Sequence, residues 1–274
     1  HNKCFRFTIT TNGVLLDDEN IEYINREMSN AVLSIDGRKE VNDDLRPTVN
    51  GKGSYELIVP KFQKLVEKRD PKLDYYARGT FTRFHQDFAE DVKALASIGR
   101  NISVEPVVGK EEDPYALQEA DLPALKAEYE RLAEYLRDHP ETNFFHFNVD
   151  LAQGPCVIKR LRGCGAGCEY VAITPEGDIY PCHQFVGNED YKLGSLYDGT
   201  FDQELSGRFA GLNIYTREEC RDCWARFYCS GGCSASNLLV NGDIKKPHRV
   251  GCELERKRLE CAIALRAIAA GMAE

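Results

Sequence analysis

The sequence predicts a parallel α/β domain over residues 1–155, followed by a cysteine-held domain over residues 156–274. Three observations carry that expectation. Strand-like and helix-like runs alternate through the first half, as they do where parallel strands are joined by crossover helices. The first strand-like runs close on Asn-Gly or Asp-Gly turn signals. Ten of the eleven cysteines fall after residue 155.

The elements follow in order. Phe5–Thr10 is rich in aromatic and β-branched residues and reads as a strand closed by Asn12-Gly13. Asp17 or Asp18 then caps a helix to about Met28. Ala31–Ile35 is the second strand and ends at Asp36-Gly37. Residues 38–53, RKEVNDDLRPTVNGKG, read as a long polar loop, after which Ser54 caps a helix to about Arg69. Tyr75–Thr80 and Ile102–Val107 are the third and fourth strands, followed by helices near Asp87–Ser97 after the third and Leu122–Arg137 after the fourth. In the terminal run Cys252–Ala270, Leu254, Cys261, Leu265 and Ile268 recur at helical spacing, with Leu259 and Ile263 widening the apolar face.

Ligands of such folds bind at the carboxyl ends of the strands. Those ends carry TTNG (Thr10–Gly13), SIDG (Ser34–Gly37), ARGTFTR (Ala77–Arg83) and EPVV (Glu105–Val108). Taken singly, Asn-Gly and Asp-Gly are also ordinary turns. Arg78 stands apart, because a cation inside a strand needs either an ion-pair partner, with Glu105 or Asp36 in reach, or an anionic ligand.

The densest chemistry is Cys220–Cys233, CRDCWARFYCSGGC, with spacing C-x2-C-x5-C-x3-C. A CxxC turn brings two sulfurs to one side of the chain. Cys229 and Cys233 can face one centre or two, and Cys164, Cys168, Cys182, Cys252 and Cys261 flank the run. A chain of 274 residues that is 42% hydrophobic can bury a core without disulfides. No secretory signal opens it, and no run approaches the roughly eighteen apolar residues of a membrane span. The expectation is a cytoplasmic protein without a membrane part, where clustered cysteines bind metal more often than they pair. A net charge of −9 argues against a nucleic-acid surface. On cysteine chemistry alone, two zinc ions and two iron–sulfur clusters both fit. The chain opens HNKCFRF, without an initiator methionine and almost directly in a strand, and reads as a fragment.

TTNG and SIDG on successive strands, together with the cysteine-rich tail, resemble the radical S-adenosylmethionine enzymes that carry a SPASM domain. The tail pattern of that family is a cysteine, G-x4-C, C-x2-C-x5-C-x3-C and a last cysteine, and here it reads Cys164, Gly177 to Cys182, Cys220 to Cys233, and Cys252. GCGAGCEYVAITPEGDIYPCHQFVG, CWARFYCSGGC and RGTFTRF further resemble the maturases that form thioether cross-links in six-cysteines-in-forty-five-residues (SCIFF) peptides.

The resemblance implies a fold, cofactors and partners. The first half would be the carboxyl-terminal portion of a partial (β/α)6 radical S-adenosylmethionine barrel, and the second a SPASM domain with a terminal helix. One auxiliary [4Fe-4S] cluster would be held by Cys164, Cys182 and Cys233, with Cys168 as a fourth ligand, a substrate thiolate at an open iron, or Cys168 as a buried thiol instead. A second would be held by Cys220, Cys223, Cys229 and Cys252. Ser34 and Arg78 would contact the methionine carboxylate of S-adenosylmethionine, Asn12 and Asp36 the ribose region, and Glu105–Val108 the adenine. The family's C-x3-C-x2-C loop and its GGE segment have no match, which places the cofactor-cleaving third cluster outside this sequence and implies that the chain alone does not cleave S-adenosylmethionine. The implied partners are a short cysteine-rich precursor peptide and an electron donor such as flavodoxin or ferredoxin. No general base is identified. Two other readings stay open: a maturase of the anaerobic sulfatase type, and a noncatalytic iron–sulfur or zinc module that binds a peptide.

Among the remaining residues, His183 reads as packed beside the site rather than a ligand, and Trp224, Phe227 and Tyr228 as water-excluding packing. Cys4, Cys156 and Cys261 read as buried thiols.

Overall fold

The computed structural model describes residues 3–149 and 157–271, so Cys156 lies outside the described residues. Two compact units result: His1–Val107 with Pro114–Asn148 and Glu260–Glu274, and Val108–Asp113 with Val149–Leu259.

The first unit is built on a parallel sheet of five strands in sequential order, β1 (Thr8–Thr11), β2 (Asn30–Ser34), β3 (Asp74–Phe81), β4 (Asn101–Pro106) and β5 (Asn143–Phe144). Between them run α1 (Asp18–Glu27), α2 (Lys39–Leu45), α3 (Tyr55–Glu67), α4 (Phe88–Leu95) and α5 (Leu122–Asp138). The alternation read from the sequence therefore corresponds to a parallel α/β sheet, with one strand more than expected. β5 is two residues long, too short to show a period, and pairs with Asn101 and Ile102 of β4, the Asn143 N–H donating to the Arg100 carbonyl at 2.7 Å. Ala31 and Leu33 of β2, Ala77, Gly79 and Phe81 of β3, and Ile102 and Val104 of β4 face the helices, where Phe81 stacks on Phe88 and Phe88 meets Tyr129. The alternate residues, Ser34, Tyr76, Arg78, Thr80 and Glu105, point to the other face.

Three local readings change. β1 begins at Thr8, and Phe5 and Phe7 are exposed and stacked on each other, the Phe7 carbonyl still accepting from the Asn30 N–H of β2 at 3.3 Å. The polar stretch after Gly37 is not all loop but contains α2, which buries Val41 and Asn42. Its inner face holds an amide where an apolar residue would have announced a helix, and that Asn42 donates to Ser54 Oγ at 3.0 Å. The start of α3 is where Ser54 predicts it, but Ser54 makes no cap bond. Ser54 Oγ donates to the Arg46 carbonyl, and Asp43 Oδ1 accepts from the Tyr55 N–H at 2.8 Å. At α1 the expected cap is present, with Asp17 accepting from the Asn20 N–H.

The second unit holds α6 (Val157–Arg162), an antiparallel meander of β6 (Ala172–Ile173), β7 (Asp178–Tyr180), β8 (Gly194–Ser195) and β9 (Thr200–Phe201), then α7 (Gln203–Ala210), α8 (Arg226–Cys229) and α9 (Ser234–Asn241). Its core joins Ile179, Tyr180, Phe185, Leu193, Leu205, Phe209, Leu212 and Ile244, with Cys182 among them. α10 (Arg249–Ala269) begins in this unit and ends in the first. It buries Leu254, Leu259 and Cys261, whereas Ile263 is exposed. Cys4 is exposed as well, because it precedes the first strand. No helix among the described residues is long and apolar enough to cross a membrane.

Candidate functional site

The open face of the parallel sheet brings a polar row together. Ser34 at the end of β2 lies in register with Arg78 of β3, and Arg78 with Ser103 of β4. Arg78 is 48% exposed and pairs with Glu105 at 2.8 Å, as one of the two structural accounts of that cation expects. Ser103 and His146 Nε2 are 3.1 Å apart, and His146 lies 3.9 Å from Glu105. Nothing in the sequence near FFHF marked His146, which reaches the row because the two-residue β5 ends directly before a short helical turn. Ser34 is half-buried.

Asn12 and Asp36 sit at the same strand ends in different situations. Asn12 is exposed, and its Oδ1 accepts from the Val14 N–H, an ordinary Asx turn. Asp36 is 3% exposed. Its oxygens take Arg46 in a two-point ion pair and the Thr80 N–H at 2.9 Å. Asp36 thus ties the ends of β2 and β3 together.

In the second unit the cysteines lie close enough to perturb one another. Burial raises Cys182 most, and the charges of Cys233 and Cys164 raise it further. Burial also pushes Cys252 up to about 11, with Cys220 and Cys223 adding to it. Cys229 is pushed up to about 12 by burial, then by Glu255 and Cys252. Cys220 is raised by burial and by Cys223. Cys229 and Cys233, four positions apart, have different sulfur neighbours, Cys252 beside Cys229 and Cys182 beside Cys233.

The chain between them is shaped for this. Ser230, Gly231 and Gly232 all have positive φ, 60°, 89° and 72°, which swings the chain away after α8. The N–H groups of Gly231 and Gly232 turn toward the Cys229 sulfur and lower its pKa against the larger effect of burial. The N–H groups of Gln184 and Phe185 do the same for Cys182. Arg256 Nη1 approaches Cys223 Sγ at 4.0 Å.

Cysteine sulfurs are the donors that iron–sulfur clusters and structural zinc take, so the donor type fits metal-based groups. Among the described residues, no three His, Cys, Asp or Glu side chains converge as tightly as one metal ion requires. A four-iron cluster takes each thiolate on a different iron and accepts wider spacing.

Cys168 is exposed, its thiol donating to the Gly165 carbonyl at 3.3 Å, so it is not a buried thiol. His183 is exposed rather than packed. Trp224 is 50% exposed and Tyr228 39%. The residue that sequence reasoning missed is Arg217, 2% exposed, which feels the charges of Cys220, Cys229, Cys233 and Cys164. In the polar run TREECRDC it looks like one more solvated charge.

In comparison with known proteins, residues 164–224 match the SPASM model, an iron-sulfur cluster-binding domain. The chain is 24% identical over 248 residues to the cysteine-type anaerobic sulfatase-maturating enzyme of Clostridium perfringens, covering 82% of this chain and 64% of the relative. It is 26% identical over 252 residues to the mycofactocin maturase MftC of Mycolicibacterium smegmatis, covering 87% and 61%, and 21% identical over 256 residues to the radical SAM cyclopropyl synthase TigE of Paramaledivibacter caminithermalis, covering 90% and 51%. The chain thus spans less than two thirds of the length of these curated relatives. Native anSMEcpe with bound AdoMet has the same fold, with TM-score 0.76 at 19% identity over 99% of this chain and 77% of that one. The same protein with AdoMet and Kp18Cys peptide gives 0.75 at 18% identity, over 98% and 77%. The parallel sheet has the fold of these solved proteins, residues 164–224 match the SPASM model, and two of the three relatives are named a maturase or a maturating enzyme.

Proposed function

We propose that the chain serves a radical S-adenosylmethionine maturase that forms cysteine thioether cross-links in a short cysteine-rich precursor peptide of the SCIFF type. The observation that supports the reading is that Cys182 has Cys164 and Cys233 as sulfur neighbours while Cys252 has Cys220, Cys223 and Cys229, which fits one group of three and one of four. Cys220, Cys223, Cys229 and Cys252 would saturate one auxiliary [4Fe-4S] cluster. Cys164, Cys182 and Cys233 would leave one iron of the other for Cys168 or for a thiolate of the substrate. When bound, the clusters supply one-electron chemistry and S-adenosylmethionine supplies a hydrogen-abstracting radical.

The chain's own residues bind, orient and hold charge. Ser34 and Arg78 hold the methionine carboxylate, the guanidinium turning part of its donor fork from Glu105 to the ligand. Asn12 and Asp36 define the ribose end, Asp36 through the backbone it ties because its own oxygens are taken. The N–H groups of Gly231, Gly232, Gln184 and Phe185 stabilise ligand thiolates. The substrate contributes sulfur and carbon, and the protein keeps them close to the radical. Electrons come from a flavodoxin or ferredoxin in the cytoplasm, the compartment that keeps these thiols reduced.

The similarity to a cysteine-type sulfatase-maturating enzyme favours a second reading, oxidation of a single peptide cysteine, which needs no open iron. One experiment separates them. The protein is loaded anaerobically, its iron, sulfide and zinc are counted, and Mössbauer spectra are recorded with and without a cysteine-containing peptide, for wild type and Cys168→Ala. About eight irons with a peptide-induced change at one cluster supports thioether chemistry. Two full clusters blind to the peptide in both proteins leave the second reading. Stoichiometric zinc with little sulfide removes both.

A further inference from the structure

Arg217 is the largest fully buried side chain among the described residues, at 2% exposed. A buried guanidinium ordinarily has a carboxylate partner, yet no carboxylate pairs with it among the described residues. Its Nη2 donates to Ser234 Oγ at 2.9 Å and to the Ile244 carbonyl at 3.4 Å. Its Nε and Nη1 are buried with no partner among the described residues. Two buried donor nitrogens without a partner are costly to a fold, and both can take an acceptor from a bound group.

The position of the side chain says which acceptor. A Cβ on Gly231 would stand 2.3 Å from Arg217 Nη1, so the guanidinium lies against the loop that joins Cys229 to Cys233. Burial presses its pKa down, and the negative charge that Cys220, Cys229, Cys233 and Cys164 carry when ionised works against that. Two of them belong to each proposed cysteine group. Arg256, by contrast, approaches Cys223 alone and is already paired with Glu253.

We propose that Arg217 is a cation shared by the two auxiliary clusters, its Nε–H and Nη1–H donating to cluster or ligand sulfur on both sides and favouring the reduced state of each. The inference rests on the iron–sulfur reading above. A positive charge and hydrogen bonds at sulfur stabilise the extra electron of a reduced cluster and so raise its potential. Arg217 acts through the clusters and is a tuning residue, not a catalytic one.

The test uses wild type, Arg217→Gln and Arg217→Lys, each loaded anaerobically with iron and sulfide. Little iron and sulfide in wild type refutes the cluster reading and the proposal with it. Where both clusters load, redox titration followed by electron paramagnetic resonance decides the proposal alone. In Arg217→Gln the reduction equilibrium of both clusters is expected to fall at least tenfold, about 59 mV for one electron. In Arg217→Lys, which keeps the charge, it is expected to fall less than threefold. Equal midpoints in wild type and Arg217→Gln overturn the proposal, and so does an equal fall in Gln and Lys, which would make the effect one of shape. If Arg217→Gln loads no clusters, nitrogen-15-labelled arginine in otherwise wild-type protein gives the answer. Arginine nitrogen coupling on the reduced clusters that Arg217→Lys removes supports the proposal, and its absence overturns it.

Discussion

Gly79 sits inside β3 with ordinary strand geometry, and the reason it is glycine is proximity. A Cβ there would stand 2.5 Å from the Ile35 carbonyl oxygen, 2.7 Å from Asp36 Cα and 3.1 Å from Asp36 C. All three are backbone atoms, so no rotamer change relieves the contact. Gly79→Ala must push the end of β2 away from β3. Two bonds cross that seam: the Ile35 N–H to the Arg78 carbonyl at 2.9 Å, and the Thr80 N–H to Asp36 Oδ1 at 2.9 Å. Weakening the neutral one costs about 1 kcal/mol and the charge-assisted one about 2 kcal/mol. The alanine returns about 0.7 kcal/mol by restricting the unfolded chain, leaving a net loss of about 2–3 kcal/mol. Urea unfolding followed by far-ultraviolet circular dichroism should show a lower midpoint at unchanged slope. Gly79→Ser should cost at least as much. A loss below about 0.5 kcal/mol for Gly79→Ala, the size of a neutral surface substitution, would refute the claim that this seam is closed by backbone contact.

Three further outcomes follow from single side chains. Arg69 is buried and donates to the Asp74 carbonyl, Asn25 Oδ1 and the Met28 carbonyl at 2.9, 3.0 and 2.9 Å, so Arg69→Met should cost about 3 kcal/mol in the same assay. Burial holds the Asp91 carboxyl above its usual range, although the Arg38 N–H and guanidinium pull it down. The native state therefore keeps the Asp91 proton longer than the unfolded chain does. Stability from this group is present below the ordinary carboxylate range and declines as pH rises through the raised value. Unfolding curves of Asp91→Asn should lack that decline, and an identical pH slope in both proteins would count against the assignment. Arg78→Lys removes the planar fork that Ser34 accompanies, and calorimetry with S-adenosylmethionine on the iron-loaded protein should show affinity about tenfold lower. Unchanged affinity would take Arg78 out of the binding row.

What could be read in the sequence was local. The strands and helices of the first unit announce themselves through β-branched runs, Asp17 at a helix start and the Asn-Gly and Asp-Gly turns, all of which act within a few residues. α2 escaped because its inward residues are Val41 and Asn42, and a single apolar position makes no period. The cap of α3 escaped because Asp43 reaches it from twelve residues away. At the cysteines, spacing pointed to metal chemistry, and the assignment to two centres came only from the family resemblance. In the fold, three successive left-handed residues separate Cys229 from Cys233, and of these only the two glycines hint in the sequence. Arg217 was hidden for the opposite reason. Its type and neighbours are those of a solvated charge, and only the tertiary fold buries it.

The order of the cysteines along the chain has a consequence for how the protein comes into being. Cys164 and Cys182 precede Cys220, Cys223 and Cys229, while Cys233 and Cys252 follow them. Each of the two proposed ligand sets therefore closes only on residues made after most of the other set has emerged from the ribosome. Neither can be lifted out as a self-contained piece, and closing either brings the five-residue link, and thereby part of the other, into place. Metal loading should accordingly be cooperative and post-translational. Chains with one set filled should be rare, and damage to Cys229 or Cys233 should empty both.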